Sequence, residues 1–215
     1  DLSASGINLH YFVQFLLHEQ LKSASDYAHT LGVGLKGDIA IGIAHDSADA
    51  WSDESLYHMD KQTGAPPDAF SATGQNWGFP TYNWDKMAET NFTWWQQRLT
   101  VMREYFDAYR LDHILGFFRI WEIPNHSVRA LLGQFSPALG LTIEEIENNY
   151  HIPFSSWGGE ERFVQPFIRD WVVRELAGVY KDQIIAEFLE SRGNGNYQFK
   201  AQYNTQKKIE AQASD

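Results

Sequence analysis

Arg110 and Asp112 stand two residues apart inside the apolar run Tyr109–Trp121, and that pairing of residue types can do chemistry. If the run is a strand, its two-residue period points both side chains to one face. A guanidinium beside a carboxyl lowers its pKa, and an aspartate kept ionised at neutral pH is what a carboxylate nucleophile requires. Spacing alone gives equal weight to an ordinary buried ion pair. Asp38 follows Gly37 and on its own reads sooner as a turn cap than as a functional carboxylate. By themselves Pro66-Pro67-Asp68 and Thr73-Gly74 read as turn chemistry. Eight histidines, among them His113, are scattered without metal-ligand spacing, so no metal site is expected.

The elements that must position these residues are legible in the apolar spacing. Leu9, Phe12, Val13, Leu16, Leu17 and Leu21 predict a helix from Ile7 to about Leu31, closed by Gly32. Ile39, Ile41 and Ile43 alternate, which predicts a strand within 33–43. Residues 44–84 lack periodicity and carry Gly64, Pro66, Pro67, Gly74, Gly78 and Pro80, the composition of a long functional loop. A second helix is predicted from about Asp85 to Ala108, through Phe92, Trp95, Leu99, Met102 and Phe106, with the strand Tyr109–Ile114 directly after it. Helix, strand, long loop, helix, strand is the rhythm of parallel α/β units. In a (βα)8 barrel the chemistry lies at the C-terminal ends of the strands, where Asp112 and the 44–84 loop would fall.

After Pro124 the pattern turns polar and helical, with no convincing strand. Thr142-Ile143-Glu144-Glu145 has the spacing of a capping box, and an amphipathic pattern runs from Phe163 to Leu189. The expected α/β architecture is therefore a partial (βα)8 TIM-barrel segment of about two to three βα units over 1–124, with a helical insertion over 125–215. So few units cannot close a barrel, and the chain is expected to be a fragment of a larger catalytic domain.

Composition narrows the partners. A net charge of -11 and a pI near 5.1 leave little basic surface for phosphates, so nucleic acid is a poor partner. Cysteine is absent, which excludes disulfides and thiolate metal sites and suits a reducing cytoplasm, the expected location. No apolar stretch approaches the roughly 18 residues of a membrane span, and Asp1-Leu2-Ser3-Ala4 does not open like a signal peptide. There is no initiating methionine, so the sequence is expected to begin inside a longer chain. Eight tryptophans suit a neutral sugar, whose C–H faces stack on aromatic rings, although core packing is the commoner use of the residue.

Three longer runs, Leu35–Gly42, Gly64–Trp84 and Tyr109–Pro124, each hold several rare residues in fixed order. In them the sequence resembles the 4-α-glucanotransferases, also called amylomaltases or disproportionating enzymes, of glycoside hydrolase family 77. Residues 30–124 match throughout and 1–29 fit the preceding helix. Residues 125–215 resemble the insertion that splits the catalytic domain in the plant cytosolic disproportionating enzyme and in similar large bacterial forms.

The resemblance implies that Asp112 is the nucleophile, that Arg110 orients and ionises it, and that His113 contacts substrate. It implies that Asp38 contacts the sugar at the cleavage point and that Asp68, Phe70, Gln75 and Trp77 lie on the loop covering the donor and acceptor sites. Trp121 belongs to the motif and reads as packing. The implied reaction is retaining transfer of α-1,4-glucan segments between maltooligosaccharides or glucans, in starch, glycogen or maltose metabolism, with no metal or organic cofactor. Ala40 replaces the usual proline and Ala69 the usual tyrosine, which alters an aromatic contact on the substrate loop. The family's acid/base glutamate, in an Ala-Glu-Asp-Leu-Gly-like run, and its third carboxylate, in a His-Asp pair, are expected after the insertion. Neither follows within these residues, and Ala186-Glu187-Phe188-Leu189 resembles the first only superficially. The isolated chain is therefore expected to be inactive. The other readings are a related α-glucan hydrolase and a non-catalytic glucan-binding module, the last as an oligomer joined through exposed strand edges.

Overall fold

A computed structural model describes residues 4–157 and 167–213. In chain order its helices and strands are α1 (Ala4–Thr30), β1 (Lys36–Ile39), α2 (Ala48–Ser52), β2 (Tyr57–His58), β3 (Lys61–Ala65), β4 (Gln75–Asn76), β5 (Thr81–Tyr82), α3 (Trp84–Glu89), α4 (Thr93–Met102), β6 (Ala108–Leu111), β7 (Ile120–Pro124), β8 (Gln134–Ser136), α5 (Ile143–Tyr150), β9 (Ile168–Arg169), α6 (Asp170–Ala177), α7 (Lys181–Phe188), β10 (Leu189–Gly193), β11 (Asn196–Phe199) and α8 (Gln206–Ala213). The chain divides into two units, Asp1–Gly64 with Trp77–Glu122, and Ala65–Asn76 with Ile123–Asp215.

In the first unit α1 stops where the sequence predicts. Gly32 takes φ +72, its amide donates to the His29 carbonyl at 2.9 Å, and the Val33 amide donates to Ala28 at 3.0 Å. These are the two bonds of a Schellman cap, which glycine forms without a Cβ penalty. The C-terminal half of α1 is tied down: buried Ser25 donates to the Tyr105 carbonyl at 2.9 Å, and His29 meets Asp107 at 2.9 Å. Along the N-terminal half the predicted apolar stripe is exposed, with Leu9 at 59% and Phe12 at 57%.

Strand β1 pairs in parallel with β6, in the register Lys36↔Ala108, Gly37↔Tyr109, Asp38↔Arg110, Ile39↔Leu111. Asp107 fixes the entry, accepting the Leu35 amide at 2.8 Å; that bond and His29 hold its carboxyl below the usual range. The core beneath gathers Ile39, Ile43, Ala50, Leu56, Tyr57, Tyr82, Met87 and Trp95. Burial pushes the Tyr82 hydroxyl up to about 12 and raises Tyr57 as well, while the Arg98 guanidinium sits 5.1 Å above the Trp94 ring.

Three expectations change here. The single helix 85–108 is two helices, α3 and α4, separated at Asn91 and Phe92, which both take left-handed φ (51° and 57°). The apolar spacing runs on across this break because Phe92 keeps the three-residue step to Trp95 while its backbone turns. The 44–84 segment is not irregular: it holds α2, β3 and the antiparallel pair β2–β5, in which Tyr57 lies opposite Tyr82. Two-residue strands are too short to show a period. Lastly, the strand predicted to reach Ile114 ends at Leu111, because His113 turns the chain with φ 48.

In the second unit, residues 125–215 are not purely helical. They hold β8 and an antiparallel sheet in the order β10-β11-β9, with the β10–β11 turn made by Gly193, Asn194 and Gly195, all at positive φ. These strands are mostly polar and exposed, so they carry no apolar alternation to read. The Thr142–Glu145 capping box forms as predicted at the start of α5. Of the Phe163–Leu189 pattern, 163–166 lie outside the described residues, and the rest divides into α6 and α7 at Gly178. Asp170 joins these helices, accepting from Lys181 at 2.6 Å and Arg174 at 2.9 Å. No described helix is long and apolar enough to cross a membrane.

Candidate active site

The β1–β6 register puts Asp38 and Arg110 directly across from one another, and in a parallel pair such neighbours share a face. Arg110 Nε donates to Asp38 Oδ1 at 2.9 Å and Nη2 donates to Oδ2, a side-on bidentate pair. The guanidinium holds the Asp38 carboxyl below its usual range. In return Asp38, and more weakly the charge of Asp112, keep the proton on Arg110. Both side chains of the pair are more than half exposed, so water screens it and its value is geometric rather than energetic.

This corrects the expected partnership, in which Arg110 holds Asp112. Asp112 lies one residue past the end of β6, its amide extending the ladder to the Ile39 carbonyl at 3.1 Å, while Asp38 already takes the guanidinium fork. Among the described residues no donor engages the exposed Asp112 carboxylate. Of the two carboxylates, one has both oxygens occupied and the other has them available to a ligand.

His113 follows in the left-handed conformation, and its ring meets Trp77 edge to face with centroids 5.1 Å apart. The sequence holds no signal for this contact, since residues 36 positions apart on different loops share no period. The remaining candidates lie in the second unit. Asp68 Oδ1 accepts the amides of Phe70 and Ser71, both at 2.8 Å, so its carboxylate builds its own Asx turn. That turn presents Phe70 at 97% exposure, with Gln75 exposed on β4. The structure thus brings together Asp38, Arg110 and Asp112, pairs Trp77 with His113, and places Asp68, Phe70 and Gln75 in the other unit. Among the described residues no three His, Asp or Glu side chains converge as a metal site would require. Glu187 is exposed on α7.

A sequence model of glycoside hydrolase family 77, described as 4-alpha-glucanotransferase, matches residues 2–209. The chain belongs to the 4-alpha-glucanotransferase family. It is 45% identical over 203 residues to the rice 4-alpha-glucanotransferase DPE2, covering 94% of this chain and 21% of that protein. A 4-alpha-glucanotransferase of Chlamydia pneumoniae is 42% identical over 110 residues, covering 51% of this chain and 21% of the relative. In three dimensions the chain is similar to an amylomaltase from Streptococcus agalactiae solved with acarbose, at a TM-score of 0.59 and 30% identity, over 70% of this chain and 32% of the other. The amylomaltase of Corynebacterium glutamicum gives 0.53 and 31%, over 58% and 18%. The chain therefore spans about a fifth of the length of the first two 4-alpha-glucanotransferases.

Proposed function

We propose that this chain supplies the nucleophile side of a retaining 4-α-glucanotransferase site, working within a protein of its relatives' length. The observation that carries the reading is the unequal state of two carboxylates at the end of one parallel strand pair: Asp38 is clamped by Arg110, and Asp112 is left with its oxygens open. In the first step an Asp112 oxygen attacks the anomeric carbon of the donor. The glycosidic C–O bond breaks, and the leaving oxygen takes a proton from a second carboxyl about 5–5.5 Å away. On this reading the proton donor is the glutamate of the family's Ala-Glu-Asp-Leu-Gly-like run. In the second step a sugar hydroxyl of the acceptor gives its proton to the same carboxylate and displaces Asp112, completing the transfer of an α-1,4-glucan segment.

Asp38, with its geometry fixed by Arg110, accepts from hydroxyls of the sugar at the cleavage point. His113 and Trp77 bound that sugar, and Asp68, Phe70 and Gln75 are further glucan contacts on the substrate loop, with Ala69 in place of the usual tyrosine. On this reading β1 and β6 are neighbouring strands of a (βα)8 barrel, with the chemistry at their C-terminal ends. The substrates are maltooligosaccharides or α-glucans, as donor and as acceptor.

The test is maltotriose given to the protein extended to its relatives' length. Glucose and longer oligosaccharides are expected together from the unsubstituted protein. Asp112→Asn is expected to reduce both by at least about a thousandfold. Glucose and maltose without longer products would make the enzyme a hydrolase, and full activity in Asp112→Asn would reject the assigned nucleophile.

A further inference from the structure

Gly116 is buried in the 3-10 turn Ile114–Phe117 that follows His113. Its φ is not in the left-handed region, so no backbone demand calls for glycine there. Space is what calls for it. A Cβ built on Gly116 would lie 2.5 Å from Cδ2 and 3.2 Å from Nε2 of His113, and 2.7 Å from Cδ1 of Ile120. Carbon atoms pack at about 3.5–4.0 Å. Ile120 meets the glycine with the end of a flexible side chain, which can turn away. The imidazole has less freedom: its backbone is held at φ 48, its carbonyl accepts the Gly116 amide at 2.8 Å, and its ring already contacts Trp77.

We propose that Gly116 is a positioning residue: the missing side chain seats the His113 imidazole over the Gly116 backbone and against Trp77, fixing how the ring meets a sugar hydroxyl beside Asp112. The sugar contact rests on the function proposed above; the seating does not. Gly37 provides a contrast, since its missing side chain makes room for Phe106 at 2.5 Å, in the packing under β1.

The experiment is the 1H–13C spectrum of the histidine rings in the 215-residue chain, with the His113 signal assigned by His113→Ala. Gly116→Ala is expected to move that signal toward a free imidazole, as Trp77→Ala does, while Gly37→Ala leaves it in place. Combining Gly116→Ala with Ile120→Ala removes the second clash and gives a protein in which the imidazole alone is crowded. An unmoved His113 signal in folded Gly116→Ala, or equal movement in Gly37→Ala, overturns the proposal. Maltotriose affinity reads the coupling: Gly116→Ala is expected to weaken it severalfold, with no further loss once His113 is alanine. A full additional loss in the His113→Ala background overturns positioning through His113. Failure of the unsubstituted chain to bind maltotriose counts against the proposed function and leaves the seating intact, because the ring signals are read without glucan.

Discussion

Asp38 and Asp112 compete for one guanidinium, and the strand register decides for Asp38. The sequence makes the same three residues candidates, yet it pairs Arg110 with the wrong aspartate, because register is not written in local spacing. Asp38 is 72 positions from Arg110, and only the β1–β6 pairing reveals it as the partner. Two consequences can be measured. Arg110→Gln is expected to return the Asp38 carboxyl upward into the ordinary carboxylate range in an NMR titration; an unchanged titration would show that the pair is not formed. Because the folded pKa of Asp38 lies below its unfolded value, the pair's small contribution to stability is present at neutral pH. It fades only as pH falls below about 4, through the lowered folded value. Arg110→Lys keeps the charge but loses the fork, and is expected to raise the Asp38 pKa part of the way.

At the scale of elements, long periodic segments were legible and short ones were not. Helix α1, its Gly32 cap and the α5 capping box follow from local signals strong enough to act alone. The break at Asn91–Phe92 is a local turn, in which the Phe92 amide donates to Met87 and the Asn91 amide to Ala88, while β2, β5 and β9–β11 have two to five residues, too few to show a period. The core assignment predicts a contrast in urea unfolding. Met87→Ala, at a site 1% exposed, should cost about 2–5 kcal/mol. Trp51→Ala, at 89% exposure, should stay within about 0.5 kcal/mol. Equal costs would mean that the first unit's core is misplaced. Loss of the Thr142 cap in Thr142→Ala should weaken α5 by about 1 kcal/mol, seen as faster amide exchange within Ile143–Tyr150 and not in α1.

For the whole molecule, the net charge of -11 disfavours polyanions, and the family assignment from the three sequence runs agrees with the match over residues 2–209. What composition could not reveal is how much apolar surface stays open. Leu9, Phe12, Phe15 and Leu17 of α1 are all more than half exposed, and exposed apolar side chains gathered on one element favour association. The 215-residue chain alone is therefore expected to self-associate in sedimentation, and Phe12→Glu with Phe15→Glu to return it toward monomer; a monomeric unsubstituted chain at high concentration would contradict this. The central claim is the assignment of Asp112 as the nucleophile. It is tested most directly by quenching the protein of its relatives' length during turnover of maltotriose and mapping its peptides by mass spectrometry. A glucosyl or maltosyl adduct on the peptide that carries Asp112 is the predicted result, and an adduct on the peptide that carries Asp38 would contradict it.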